Sequence, residues 1–125
     1  MLKYLMVGIG GALGSVVRFW VGTYIGSRWG ARFPYGTLLI NITGSFLVGL
    51  FLAVLGAKAH WSPYWRYLLP IGFLGGYTTF SNFEYETLRT IQDGQIGLGL
   101  FYVGASVVVG FAAVWGGVIA GRAIP

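Results

Sequence analysis

Four long apolar runs, one of them interrupted, predict an all-α membrane protein: four transmembrane helices over about residues 4–26, 35–56, 67–90 and 95–121, the third broken near its midpoint. Three observations carry that prediction. Hydrophobic residues make up 56% of the chain and charged ones 9%, a balance that no soluble core of this size can absorb. Each run reaches the roughly 20 residues that an α-helix needs to cross the hydrocarbon layer. The basic residues stand mostly between the runs, where a membrane protein keeps them, so the net charge of +5 belongs to membrane flanks and not to a nucleic-acid surface. Zero cysteines exclude disulfides, thiolate metal sites and a cysteine nucleophile. No run could stand alone in water, so residues 1–125 read as a single membrane domain.

The first run lies between Lys3 and Arg28. It is too long and glycine-rich for a secretory leader, and it contains Arg18, so it is expected to be retained. Gly10, Gly14, Arg18, Gly22 and Gly26 recur at every fourth position, one drifting helix stripe that should face protein. Close helix packing accounts for the glycines. Arg18 has two readings, snorkelling to the headgroups or lining a water-filled vestibule for an anion. After a polar loop from Arg28 to Pro34, the second run places Thr37, Asn41, Gly44 and Ser45 on one side. An asparagine that deep either bonds a neighbouring helix or offers its amide to something passing through, and the sequence does not choose.

Lys58 to Arg66 is expected as an interfacial turn with aromatics at headgroup level. His60 lies there with no second imidazole and no nearby carboxylate, which argues against a metal or catalytic role. The third run carries the interruption, Gly72 to Glu86. Gly75 and Gly76 lower helix propensity, Thr78 and Thr79 can turn their hydroxyls onto the backbone, and Pro70 upstream removes a donor. Unwinding is therefore expected around Gly75 to Thr78. Backbone groups freed in lipid must be paired inside protein or beside a polar cavity or ion, so the break marks a candidate site. In the fourth run Tyr102, Ser106 and Gly110 share a face, ordinarily one of helix-to-helix bonding.

If the four spans alternate, Lys3, Lys58, Arg66 and Arg122 lie on one side and Arg28, Arg32 and Arg89 on the other. Four against three leaves almost no positive-inside bias. Such a chain is expected to insert both ways and to pair as a dual-topology antiparallel homodimer, its two-fold axis in the membrane plane. The midpoint between Arg66 and Arg89 falls between Tyr77 and Thr78. Two breaks could then meet on the axis.

Gly-Thr-Leu-Leu-Ile-Asn-Ile-Thr-Gly-Ser at 36–45, Gly72 to Gly76 followed by Thr78-Thr79-Phe80-Ser81-Asn82-Phe83, Glu86-Thr87 and Gly-Ala-Ser at 104–106 together resemble the CrcB or Fluc fluoride channels over nearly the whole chain. The resemblance implies a dual-topology dimer in the cell inner membrane, with two fluoride pathways, a structural sodium ion at the dimer centre and no organic cofactor. By position, Asn41, Phe80 and Phe83 would line the pathway, Thr79, Tyr102 and Ser106 would supply hydroxyls, and Arg18 would sit near a vestibule. The sodium would take the backbone carbonyls of Gly75 and Thr78; the alternative is that Thr79 hydroxyls or water satisfy those carbonyls. Two positions depart from the pattern. Some relatives have a serine where this chain has Gly110, so part of the hydroxyl track would have to come from Tyr102, Thr79 or water. Glu84 stands where a small hydroxyl residue is commoner, which would place two acids near one mouth.

The residue chemistry agrees with that implication. Fluoride is small and strongly hydrated, and a selective path must replace its water with donors without trapping it. Phe80 and Phe83 stand three apart on one helix face, and the positive ring edges could touch an anion weakly. The alternatives are a small dual-topology proton-coupled multidrug transporter, which needs a buried carboxylate that the first run lacks, and a non-transporting membrane assembly protein. An enzyme is not expected, because no nucleophile, base and orienting group cluster.

Overall fold

The computed structural model describes residues 1–58 and 60–125. Three long helices, α1 (Leu2–Trp29), α2 (Tyr35–Ala57) and α6 (Ile96–Arg122), are long and apolar enough to cross a membrane, with mean hydropathy 1.5, 2.3 and 2.0 over their best windows. The remaining crossing is composite. A short α3 (Tyr64–Arg66) widens into a π-helical stretch, Tyr67–Phe73, and narrows again as α4 (Leu74–Tyr77); two extended residues then lead into α5 (Phe80–Gln92). All the regular structure among the described residues is helical. The expected interfacial turn at 58–66 includes Ala59, outside the described residues; within it, Trp61 and Trp65 are exposed.

Glycine spacing decides which helices touch. A methyl added at Gly49 would meet the Val114 carbonyl, and one at Gly117 the Phe46 carbonyl, so α2 and α6 lie backbone against backbone. Gly10 and Gly14 of α1 do the same against Leu68 and Phe73, and Gly76 returns the contact at Gly11. The stripe along α1 thus has two uses. Its first half packs against the third crossing, whereas Gly22 stands opposite Gly36 and Ile40, and Gly26 has nothing within 4 Å. The turns that end α1 and α5 use Gly30 and Gly94 at φ 79° and 80°, the left-handed conformation that only glycine adopts without strain.

The break lies later than the glycines. Pro70 does not interrupt the helix; lacking an N–H, it sits in the wider π register, where the Leu74 N–H reaches the Leu69 carbonyl five residues back. Gly75 and Gly76 remain helical in α4, and the chain unwinds only at Thr78 and Thr79, with ψ of 158° and 117°. The expected unwinding from Gly75 is corrected to Thr78–Thr79. The threonines supply the reason: the Thr78 hydroxyl donates to the Leu74 carbonyl at 2.8 Å, closing α4. Thr79 caps α5, its oxygen accepting from the Asn82 N–H at 3.3 Å.

The enclosed core is small. Phe33, Phe83 and Tyr102 form one cluster, Ile40, Leu74 and Tyr77 a second, one on either side of the break. No more than 17% of any of the three apolar windows is buried inside the protomer, so lipid or another chain must cover the rest.

Candidate functional site

The break is held open by side chains from the two preceding helices. Asn41 of α2 grips Thr79 at both backbone groups: its Oδ1 accepts from the Thr79 N–H at 2.8 Å, and its Nδ2 donates to the Thr79 carbonyl at 2.9 Å. Of the two readings left open for Asn41, bonding to a neighbouring segment is realised. Its carboxamide has a second N–H, however, and Asn41 also lines a cavity. Arg18 of α1 does not snorkel away, since its Nη1 donates to the Thr78 carbonyl at 3.3 Å. Tyr77, buried before the break, stacks on Phe73 at 6.0 Å and bonds Thr43, whose hydroxyl also donates to the Leu39 carbonyl.

Two cavities adjoin the break, with Thr79 on the wall of both. One, of about 540 Å³, is lined by Ser15, Arg18, Thr23, Thr37, Asn82 and Glu86 among others. The second, of about 340 Å³, is lined by Asn41, Ser45, Thr78, Phe80, Phe83 and Ser106. Asn41, Thr79, Phe80, Phe83 and Ser106 are therefore brought to one cavity, and Arg18 to its neighbour. The Phe80 and Phe83 rings lie 5.8 Å apart, tilted by 50°. Phe83 is buried with its ring 5.1 Å from Tyr102, while Phe80 is 69% exposed and projects beyond the protomer. Gly75 lies outside both cavities, on the exposed flank of α4.

Tyr102 is placed differently from the expectation. It is fully buried, and its hydroxyl donates to Glu86 Oε2 at 3.0 Å instead of facing the second cavity. Glu86 Oε1 accepts from the Thr37 hydroxyl at 2.7 Å, so one carboxylate ties α2, α5 and α6 together. Sequence reasoning gave Glu86 no role of its own. The available signal was its spacing: Phe83, Glu86 and Thr90 fall three and four apart, on the buried face of an otherwise polar helix. Glu84 points the other way, exposed and lining none of the cavities described, which corrects the expectation of two acids at one mouth. The hydroxyl facing Gly110 belongs to Ser45, whose Oγ is 3.9 Å from where a Cβ at Gly110 would stand.

Chemically the second cavity offers hydroxyls, one amide N–H and two aromatic edges, with no titratable side chain on its wall. Such a surface can replace part of an anion's hydration without forming an ion pair. The residues that would hold a sodium ion pass a partial test. The Thr79 N–H that would have paired with the Gly75 carbonyl goes to Asn41, so that oxygen lacks its helical partner. The Thr78 carbonyl has a second lone pair beyond the one that meets Arg18. Each chain thus supplies two neutral oxygens at most.

The sequence matches the family profile described as "CrcB-like protein, Camphor Resistance (CrcB)" over residues 5–118. A relative from Acidobacterium capsulatum is 54% identical over 123 residues, 98% of each chain. One from Solibacter usitatus is 48% identical over 97% of this chain and 99% of its own, and one from Agrobacterium fabrum 43% identical over 98% of each. All three are named "Fluoride-specific ion channel FluC", so the family's activity is ion conduction and not catalysis. With nine-tenths of its length matched to the profile and relatives this similar end to end, the chain belongs to the CrcB family of multi-pass membrane proteins.

Proposed function

We propose that this protein is a passive fluoride channel of the cell inner membrane, working as an antiparallel dual-topology homodimer. The observation that carries the reading is the cavity at the break, where Asn41, Thr79, Phe80, Phe83 and Ser106 converge with no titratable side chain on the wall. The relatives' shared name supports fluoride as the ion. A bare guanidinium or ammonium on the wall would bind fluoride too tightly for release, and an apolar wall would leave its hydration uncompensated. Hydroxyls, an amide and ring edges lie between those limits. Arg18 one cavity away raises the local anion concentration while its Nη1 stays engaged by Thr78.

What one protomer leaves open supports the dimer. Phe80, 69% exposed, and Gly75, on the bare flank of α4, both need a neighbour if the break is to be shielded from lipid. A second copy turned over in the membrane would complete the path and bring the Gly75 and Thr78 carbonyls of two chains together. Four neutral oxygens suit a monovalent hard cation, and sodium there would act as a staple across the axis.

The test is efflux from liposomes. Fluoride-loaded vesicles carrying the protein should empty rapidly when a potassium ionophore removes the charge imbalance, and chloride-loaded vesicles should not. Fluoride efflux that required a proton gradient would replace the channel with a coupled transporter, for which Glu86 would be the carboxylate. The sodium component has its own check: after verified exchange of sodium for a large organic cation on both sides, flux and dimer integrity should fall together, and undiminished flux would reject the site.

A further inference from the structure

A third opening, on the other side of Glu86, has no role in the path just proposed. It is a crevice of about 210 Å³ between the α1–α2 loop and the C-terminal half of α5, and Glu86 lines both it and the Arg18 cavity. Ala31, Pro34 and Glu86 line both, and Glu86 is the one charged group they share. Along α5 the wall continues from Glu86 through Thr90 to Asp93, seven residues or about 10 Å of helix leading outward. Arg32 from the loop and Arg89 from α5 also line it. The hydrogen bond that Arg89 makes is to the Tyr85 hydroxyl, at 3.4 Å. Gln95, which precedes the first turn of α6, adds the positive end of that helix to the wall.

We propose that this crevice is the channel's outer mouth, in which Arg32 and Arg89 concentrate small hard anions in front of Glu86. The inference rests on the fluoride reading and extends it. An anion approaching Glu86 meets a negative charge, and a mouth without cations would hold less fluoride than bulk water. Two guanidiniums against the single Asp93 carboxylate reverse that sign at the rim. A unit charge about 7 Å away in water changes the local concentration of a monovalent ion about threefold. Because both arginines are exposed, the effect is one of the long-range field and depends on salt: the screening length is about 30 Å at 0.01 M and about 3 Å at 1 M. This ionic-strength dependence separates a mouth from a structural ion pair or from arms that only reach headgroups.

The experiment uses the reconstituted full-length protein and compares Arg32→Gln, Arg89→Gln and the matching lysine variants. At about 0.01 M ionic strength each glutamine variant should conduct fluoride two- to threefold more slowly than the parent, the gap should close near 1 M, and lysine should preserve the parental rate. A second readout does not need conduction. The chain has no cysteine, so Gln95→Cys places a single thiol in the crevice. An anionic thiosulfonate reagent should outpace a cationic one there at low salt, and the ratio should fall about threefold when either arginine is neutralised. Parental flux in the glutamine variants at low salt would overturn the proposal. So would a loss that persists at high salt and is not prevented by lysine, or a thiol whose reactivity ignores the arginines. If the parent itself does not pass fluoride, the fluoride reading fails by that result alone, and the reactivity ratio still decides whether the crevice concentrates anions.

Discussion

Asn41→Asp changes one group on the cavity wall and almost no volume, so its consequences can be worked out from the contacts at Thr79. The aspartate still accepts from the Thr79 N–H, now found 2.8 Å from Oδ1, but it has no proton for the Thr79 carbonyl, now 2.9 Å from Nδ2. A buried carbonyl left facing an oxygen costs about 1–3 kcal/mol. The effect on the ion is larger. A full negative charge about 6 Å from a fluoride in a partly hydrated cavity, at an effective dielectric near 20, raises its energy by about 3 kcal/mol, roughly a hundredfold in rate. Asn41→Ala reverses the emphasis: it unpairs both Thr79 groups and adds no charge, so it should be the less stable variant and the better conductor. Fluoride efflux and thermal unfolding of the detergent-solubilised protein measure the two effects separately. The aspartate variant should regain flux as pH falls, because its carboxyl, once protonated, is neutral and can donate to the Thr79 carbonyl. A folded aspartate variant that conducts within threefold of the parent at neutral pH would show that this face does not line the path.

Glu86→Gln keeps an acceptor for one hydroxyl and a donor for the other, so it should fold and conduct within severalfold of the parent, whereas Glu86→Ala should lower the unfolding temperature by stranding Thr37 and Tyr102. Abolished flux in the glutamine variant would make the carboxylate a participant in transport. Gly14→Ala drives a methyl into the Phe73 carbonyl and should cost about 1–3 kcal/mol, visible as loss of the monodisperse peak in size-exclusion chromatography; Gly26→Ala, with nothing within 4 Å, should be neutral or slightly stabilising. Phe80→Ile should depress flux with little change in stability, because the ring is 69% exposed in the protomer and contributes little to its core. A cysteine replacing the exposed Trp61 should be labelled by an impermeant reagent from both sides of the membrane, and labelling from one side only would exclude dual topology.

The parts of the fold visible in the sequence were those set by long-range composition. Three apolar runs became α1, α2 and α6, and the interruption fell at Thr78–Thr79, beside the midpoint that Arg66 and Arg89 define. The exact place of unwinding was not visible, because a glycine's helix penalty of about 1 kcal/mol is easily outweighed by the approach it allows. Gly76 stays helical because α1 passes Gly11 where a side chain would have been. The partner of Tyr102 was not visible for a related reason. Its hydroxyl goes to Glu86 sixteen residues away, and that carboxylate is also bound to Thr37, forty-nine residues earlier; no spacing within one helix encodes such a meeting.

One discontinuity presents opposite partial charges to opposite sides. The carbonyls that end α4 carry the negative end of its dipole, and the Gly75 oxygen has lost its helical partner because Asn41 holds the Thr79 N–H. Two residues later α5 begins, and its first N–H groups carry the positive end beside Phe80 and Thr79. The dipoles favour a cation at the first end, where the Arg18 guanidinium already meets the Thr78 carbonyl, and an anion at the second. Asn41 keeps the two ends apart by occupying both backbone groups of Thr79, so the link between them is neutral and fixed. A continuous helix through Thr79 would pair these groups with one another and remove both preferences together. The proposed fluoride path and sodium staple would thus both depend on the same two extended residues, and the amide of Asn41 is what prevents that pairing.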